Sequence, residues 1–116
     1  MVRKIEGATR IPVPGGKVIE EHIGRVNSED ESISIAHMVA PANWEEPAQT
    51  PSFTEYTVVL RGTVLVEHAG GVTEVSAGQS IVTSPGEKVR YSTGAEGAEY
   101  VAVCLPAFAP DTANRD

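Results

Sequence analysis

Short stretches of alternating apolar and polar residues run through most of the chain, and no window sustains the roughly 3.6-residue period of an amphipathic helix. Glycine and proline pairs separate these stretches and mark turns. The alternation predicts strands over 32–40, 55–60, 63–68, 72–75, 79–83, 88–92 and 98–105, and a strand or a short helix over 17–26. Many short strands at this spacing are typical of a sandwich or barrel, so the predicted fold class is all-β with little helix.

The length of the chain, 116 residues, is that of one domain, because two smaller halves could not each bury a stable core. Hydrophobic residues make up 41% and charged residues 22%, which is a globular balance. Two prolines, Pro106 and Pro110, stop regular structure after the last predicted strand. We therefore predict an N-terminal arm or strand over 1–30, a barrel over 31–106 and a C-terminal tail over 107–116.

The net charge of −7 argues against a nucleic-acid-binding surface. Residues 1–17 carry a charge of +3, which is too weak for a binding stripe. The longest mostly apolar stretch, 101–109, is far shorter than the roughly 18 residues of a membrane span, and the N-terminus has no apolar signal-peptide core. The predicted location is the cytoplasm, without nucleic-acid or membrane partners. A single cysteine, Cys104, excludes an internal disulfide and predicts a buried thiol.

Two segments carry a family resemblance. Residues 55–62 (EYTVVLRG) have a glutamate, six residues and a glycine, which resembles the end of the first cupin motif. Residues 78–91 (GQSIVTSPGEKVRY) resemble the second cupin motif, a glycine and a strand followed by a proline-glycine turn and a strand. A predicted hairpin at Gly70-Gly71 fills the interval between them, as in small cupins. The resemblance implies a single jelly-roll β-barrel over most of the chain.

The same resemblance implies where a cupin metal would bind, because the family usually supplies two histidines and a glutamate from the first motif and a histidine from the second. The corresponding positions here are Gln49, Pro51, Glu55 and Val89. Valine and proline side chains offer no ligand atom, and a tight site needs about three or four. The sequence therefore predicts no metal and no cofactor. A displaced divalent-metal site of His37, Gln49 and Glu55 is the remaining alternative.

The alternation of side chains between the two sides of each predicted strand indicates where three candidate catalytic residues project. Glu55 and Tyr91 are predicted to project into one cavity, where burial would raise the pKa of the carboxyl group and the phenol could donate a hydrogen bond. His37 alternates in phase with Ile33 and Ile35, so we expect it on a core face from which it could reach Glu55. The alternative for His37 and Glu55 is a structural role in a polar part of the core.

Three further residues are candidate ligand-binding positions: Gln49, Trp44 and Tyr100. Trp44 either caps the mouth of the barrel or packs at an interface, and the sequence leaves both open. Its neighbours Glu45 and Glu46 are expected to form a solvated rim.

Two strands, 63–68 and 98–105, carry apolar residues on both faces, which a lone small barrel does not require. Burial of a second face predicts a homodimer. The resemblance further implies that the N-terminal strand is exchanged between subunits, a role that residues 1–26 could fill.

Taken with the resemblance, these residues predict a small cupin that binds a small organic metabolite in a metal-free or metal-poor pocket. Glu55 would then catalyse proton transfer of an isomerase, cyclase or lyase type. One alternative is a non-catalytic metabolite-binding or sensory module. Another is a metal-dependent lyase or dioxygenase that uses displaced ligands.

Overall fold

A computed structural model describes all 116 residues, and its regular secondary structure consists almost entirely of antiparallel strands. The strands are β1 (Thr9–Ile11), β2 (Val18–Ile23), β3 (Ser34–Ala40), β4 (Thr54–His68), β5 (Gly71–Ser76), β6 (Ser80–Thr83) and β7 (Arg90–Leu105), followed by one short helix, α1 (Pro110–Ala113). They are ordered β1-β2-β3-β7-β4-β5, with β6 pairing with β4. The predicted all-β fold with little helix is confirmed.

The two longest strands, β4 and β7, pair with each other in the central part of the sheet. The sequence predicts two strands in place of each, because glycines within them read as turns. In the structure each strand is continuous, and the β4–β7 register shifts between Val59 and Arg61 and again between Gly62 and Val64. Gly62 and Gly97 adopt φ values of +74° and +67° at this point, which residues with a Cβ rarely adopt. The glycines therefore bend paired strands rather than end them.

The 17–26 segment forms β2, which settles the choice between strand and helix in favour of a strand. β2 pairs with β1 on one side and with β3 of the same chain on the other. Residues 69 and 70 form the tight connection between β4 and β5, so the predicted hairpin is present. No helix of the structure is long and apolar enough to cross a membrane.

The inward face of β3 is the opposite of the predicted one. Ser34, Ala36 and Ala40 are buried, while Ile35 and His37 lie on the outer side and are half-buried. Ala36 faces Ala102 across the strand pair, so small side chains line this wall and leave room for a cavity. The prediction failed because it assumed that the more apolar side of a strand must face inward.

The core has two parts. The larger is a cluster of ten buried residues that includes Trp44, Val64 and Tyr100. The smaller joins Phe53 and Cys104 to the C-terminal tail.

The tail, residues 107–116, packs along the segment 48–53. The backbone N–H of Ser52 donates to Thr112 O at 2.8 Å, and that of Asp116 donates to Ala48 O at 2.9 Å. The ring of Phe108 lies edge-on to that of Phe53, with 5.8 Å between their centroids. The tail therefore forms part of the wall at one end of the barrel.

Candidate functional site

A cavity of about 190 Å³ lies inside the barrel between β2, β3, β4 and β7. The segment before β2 and the C-terminal tail also contribute to its lining, through Pro12, Val13, Phe108 and Arg115. Most of the lining is apolar, so the few charged groups that project into it are held largely out of water.

Lys17 is the buried cation of this cavity. Its side chain is only 6% exposed, and its Nζ lies 3.9 Å from Glu46 Oε2. The same Nζ lies 4.3 Å from the centre of the Trp44 ring and 5.3 Å from that of Tyr100, close enough for cation–π attraction. Burial lowers the pKa of Lys17, and the negative charges of Glu46 and Glu55 oppose that shift. Two aromatic rings and a carboxylate thus replace the water around the ammonium group.

Two carboxyl groups complete what we call the acid–base cluster: Lys17, Glu46 and Glu55. Burial raises the pKa of Glu46, against the opposing effect of Lys17. Burial also raises the pKa of Glu55 to about 7, with a further increase from the charge of Glu46. Its Oε2 accepts one long hydrogen bond from Thr57 Oγ1, at 3.5 Å, which is too weak to offset the lost solvation. Glu55 can therefore hold or release a proton near neutral pH.

Tyr91 lines the cavity with Glu55, as the strand phase predicts, and Tyr100 lines it as well. The Tyr91 hydroxyl lies 3.2 Å from Thr83 Oγ1, so it already has a hydrogen-bond partner. Burial raises the pKa of both tyrosines, and the charge of Glu55 adds to the increase in each. Both phenols therefore stay neutral and act as hydrogen-bonding groups rather than as bases.

Gln49 and Val89 occupy two of the positions that would hold metal ligands in cupins, and they face each other across an isolated β-bridge. The two positions therefore lie next to each other, but the Val89 side chain has no atom that can bind a metal ion. Oε1 of Gln49 is buried without a hydrogen-bond partner. No group of three or more histidine, cysteine, aspartate or glutamate side chains is placed to hold a metal ion. The residues present do not fit the cupin metal.

His37 does not reach the cavity, and its predicted place beside Glu55 is wrong. It projects from the outer side of β3, where its Nε2 lies 2.7 Å from Glu99 Oε2. The side chain of Arg61 lies on the same carboxylate, with Nε 3.6 Å from Oε1. The alternative metal site of His37, Gln49 and Glu55 is therefore not assembled.

Trp44 is 6% exposed and belongs to the larger core cluster, where its ring covers Lys17. Glu46 is not part of a solvated rim, because its side chain is only 14% exposed and it lines the cavity. Glu45 does lie at the surface, where it accepts a hydrogen bond from Arg90 at 2.8 Å.

Sequence reasoning missed Lys17, Glu46 and Arg115 as cavity residues. The sequence does contain a pattern that points to Lys17, because Lys17, Ile19 and Glu21 share the two-residue period of a strand and all line the cavity. No periodic signal exists for Glu46 or Arg115, which lie in irregular segments.

Cys104 faces Glu55 across the β4–β7 pair and is 5% exposed. Burial raises the pKa of its thiol, and the charge of Glu55 raises it further. Because the thiolate is the reactive form, we expect a disulfide reagent to modify native Cys104 more than about a thousandfold more slowly than the urea-unfolded chain. Stopped-flow absorbance of the released thiol measures both rates. Similar rates in the two states would contradict the buried placement.

The solved structures similar to this chain define its fold. A variant of oxalate decarboxylase from Bacillus subtilis matches 96% of this chain and 31% of its own, with a TM-score of 0.80 and 15% identity. An RmlC-like cupin from Shewanella frigidimarina matches 86% of this chain and 85% of its own, with a TM-score of 0.73 and 14% identity. The chain has the cupin fold, which confirms the resemblance. At these identities the likeness concerns the fold alone.

A curated relative gives more specific information. No protein-family profile matches the chain. The protein named endoribonuclease YbeY from Myxococcus xanthus is 39% identical to it over 107 residues, which cover 91% of this chain. The chain spans only 36% of that relative's length. The name of the relative refers to cleavage within RNA, so it contradicts the predicted metabolite-binding function together with its enzymatic and sensory alternatives.

Proposed function

We propose that this chain acts in RNA processing in the cytoplasm, as an accessory cupin unit that works with an endoribonuclease. The observation that supports the proposal is the 39% identity over 107 residues to the Myxococcus protein. Because the match leaves most of that protein without a counterpart here, RNA cleavage and the cupin barrel can reside in separate parts of it. The chain would then correspond to the barrel part, and RNA cleavage to the part of the relative that has no counterpart in these residues.

The geometry of the barrel favours this accessory role over RNA cleavage by the chain alone. The cavity of about 190 Å³ is smaller than the roughly 300–1,000 Å³ of typical ligand pockets. Its charged lining consists of two cations, Lys17 and Arg115, and three carboxyl groups, those of Glu21, Glu46 and Glu55, so it offers an RNA phosphate no excess of positive charge. A net charge of −7 would also repel the RNA backbone at longer range.

The test has two parts: the ends of cellular RNAs in a deletion strain, and RNA cleavage by the purified chain in vitro. Deletion of the gene in the source organism is expected to leave a set of cellular RNAs with unprocessed ends, mapped by sequencing and restored by a plasmid copy. The purified chain is expected to leave the same RNAs intact with or without divalent metal ions.

Two results would argue against the proposal. An unchanged set of RNA ends in the deletion strain would remove the link to RNA processing. Cleavage by the purified chain that is lost in Glu55→Gln would show that the barrel itself is the nuclease, and the accessory role would then be wrong.

A further inference from the structure

Lys17 and Glu46 bring an amine and a carboxyl group together inside the barrel. Their side chains are 6% and 14% exposed, and Lys17 Nζ lies 3.9 Å from Glu46 Oε2. The backbone of each is fixed, because Lys17 directly precedes β2 and the N–H of Glu46 donates to Tyr91 O at 3.3 Å. Reacting atoms in productive geometries lie about 3–3.5 Å apart, so only a small side-chain movement separates this pair from reaction distance.

Burial favours the uncharged forms of both groups. An ammonium and a carboxylate are costly to hold away from water, and a neutral amine beside a carboxylic acid is the alternative state of the same atoms. Burial lowers the pKa of Lys17 and raises that of Glu46, so both shifts act in this direction. A neutral amine is a nucleophile, whereas an ammonium group is not. The cavity therefore favours the reactive form of the amine beside a carboxyl group that it can attack.

The surroundings supply the two other requirements for amide formation, a proton carrier and the exclusion of water. Glu55 lines the same cavity, and the charges of Lys17 and Glu46 both act on its carboxyl group. The rings of Trp44 and Tyr100 lie 4.3 Å and 5.3 Å from Lys17 Nζ and occupy space that water would otherwise fill. Because condensation releases water, a mostly apolar cavity favours the condensed product.

We propose that Lys17 and Glu46 condense into an isopeptide bond, an amide that joins their side chains. The neutral amine of Lys17 attacks Cδ of Glu46, and the C–N bond forms. Glu55 accepts a proton from the nitrogen and donates it to the departing oxygen, so the C–O bond breaks and one water molecule leaves. Overall an ammonium and a carboxylate become an amide and water, which requires no oxidant, metal ion or other reactant. The reaction is independent of any role in RNA processing.

The product would provide a partner for a polar atom that has none. Gln49 Oε1 is buried without a hydrogen-bond partner, and Gln49 lines the cavity with Lys17 and Glu46. The new amide has an N–H group that this oxygen can accept, whereas an ion pair would leave two charges in the cavity. A neutral amide costs less to bury than those two charges.

The bond would connect two distant parts of the chain. Glu46 lies 29 positions after Lys17, and the intervening residues include β2 and β3. The segment that carries Glu46 has only isolated β-bridges as regular structure. A covalent link to the start of β2 would restrict this segment in the folded chain and reduce the freedom of the unfolded chain, as a disulfide does.

Intact-mass spectrometry of the purified full chain tests the proposal. The wild-type chain is expected to be about 18 Da lighter than its sequence mass, because one water molecule is lost. Tryptic digestion should give a branched peptide in which residue 17 is joined to residue 46. Lys17→Met and Glu46→Ala each remove one reacting group and should have their full sequence masses. Glu74→Gln is the matched control, since it changes an exposed carboxyl group on β5 and should keep the loss of mass.

A time course after cell-free synthesis tests the role of Glu55. Glu55→Gln keeps both reacting groups but lacks the proton carrier, so the bond should form about a hundredfold more slowly. The exposed pair of Lys88 and Asp116 is an internal comparison, because its atoms are closer, at 2.7 Å, but its side chains are 64% and 54% exposed. We expect this pair to stay unlinked because water keeps both groups charged.

Three results would overturn the proposal. The first is a folded wild-type chain, shown by circular dichroism, that has its full sequence mass. The second is a loss of mass that maps to residues other than Lys17 and Glu46. The third is a bond that forms as fast in Glu55→Gln as in the wild-type chain. The first two measurements need no variant, so a substitution that prevents folding does not affect them.

Discussion

Replacement of Glu55 by glutamine is expected to favour the folded state more at pH 8 than at pH 4. The change that the substitution makes in the free energy of unfolding should be about 3 kcal/mol more positive at pH 8 than at pH 4. Burial raises the pKa of Glu55 from 4.5 to about 7. The folded chain therefore binds this proton more tightly than the unfolded chain. Stability is greatest below the unfolded pKa, falls as the pH rises from about 4.5 to 7, and then levels off. Glutamine keeps the shape of the side chain but cannot ionise.

Urea titrations of the wild-type chain and Glu55→Gln at several pH values between 4 and 8 measure this difference directly. Other groups titrate in the same range, but both proteins contain them, so their contributions largely cancel in the difference between the two free energies of unfolding. Glu74→Gln on β5 is the matched control, since Glu74 is exposed. A difference between wild type and Glu55→Gln that does not vary with pH would contradict the raised pKa.

Gly62→Ala is expected to destabilise the chain by about 3 kcal/mol or more and to lower Tm by about 10 °C or more. A Cβ at this position would lie 2.2 Å from Gly97 O, a backbone atom that cannot rotate away. The φ of +74° adds a conformational cost for any residue with a side chain. Both effects act where the two longest strands bend together.

Gly78→Ala provides the comparison that separates these two costs. Gly78 has a φ of +85°, but a Cβ there would meet nothing within 4 Å. It should therefore show only the conformational cost, about 1 kcal/mol. Thermal unfolding followed by circular dichroism measures both variants. Equal losses in the two variants would mean that the close approach of Gly62 to Gly97 has no energetic effect.

Most strands could be predicted from the sequence because their signals are local. Alternation placed β5 and β6 to within a residue or two, and the glycine pair after His68 marked the hairpin between β4 and β5. The continuity of β4 and β7 could not be predicted in the same way. A glycine with positive φ reads as a turn in the sequence, and only pairing with a second bent strand turns it into a bend within the sheet.

The inward side of β3 could not be predicted because apolarity alone does not say which side encloses a cavity. Ile35 is larger and more apolar than Ala36, yet Ala36 faces inward. A one-residue error in phase moves every side chain to the other face. His37 was therefore misplaced, whereas Glu55 and Tyr91 were placed correctly because their phases followed from motifs with fixed spacing.

The acid–base cluster needed the three-dimensional structure. Glu55 lies 38 positions after Lys17, and Glu46 comes from an irregular segment between two strands. No local pattern reports that a loop carboxylate and a lysine will share one cavity. Composition suggested a solvated rim for Glu46 because charged residues in loops are usually exposed.

The tail that packs along residues 48–53 has a kinetic consequence. Phe108 and Arg115 line the cavity, so detachment of the tail would widen the path by which water and ions reach Lys17 and Glu55. Short peripheral segments detach far more often than barrels unfold. Proton exchange between Glu55 and bulk water should therefore become faster whenever the last ten residues detach, even while the strands that hold the carboxyl group stay paired.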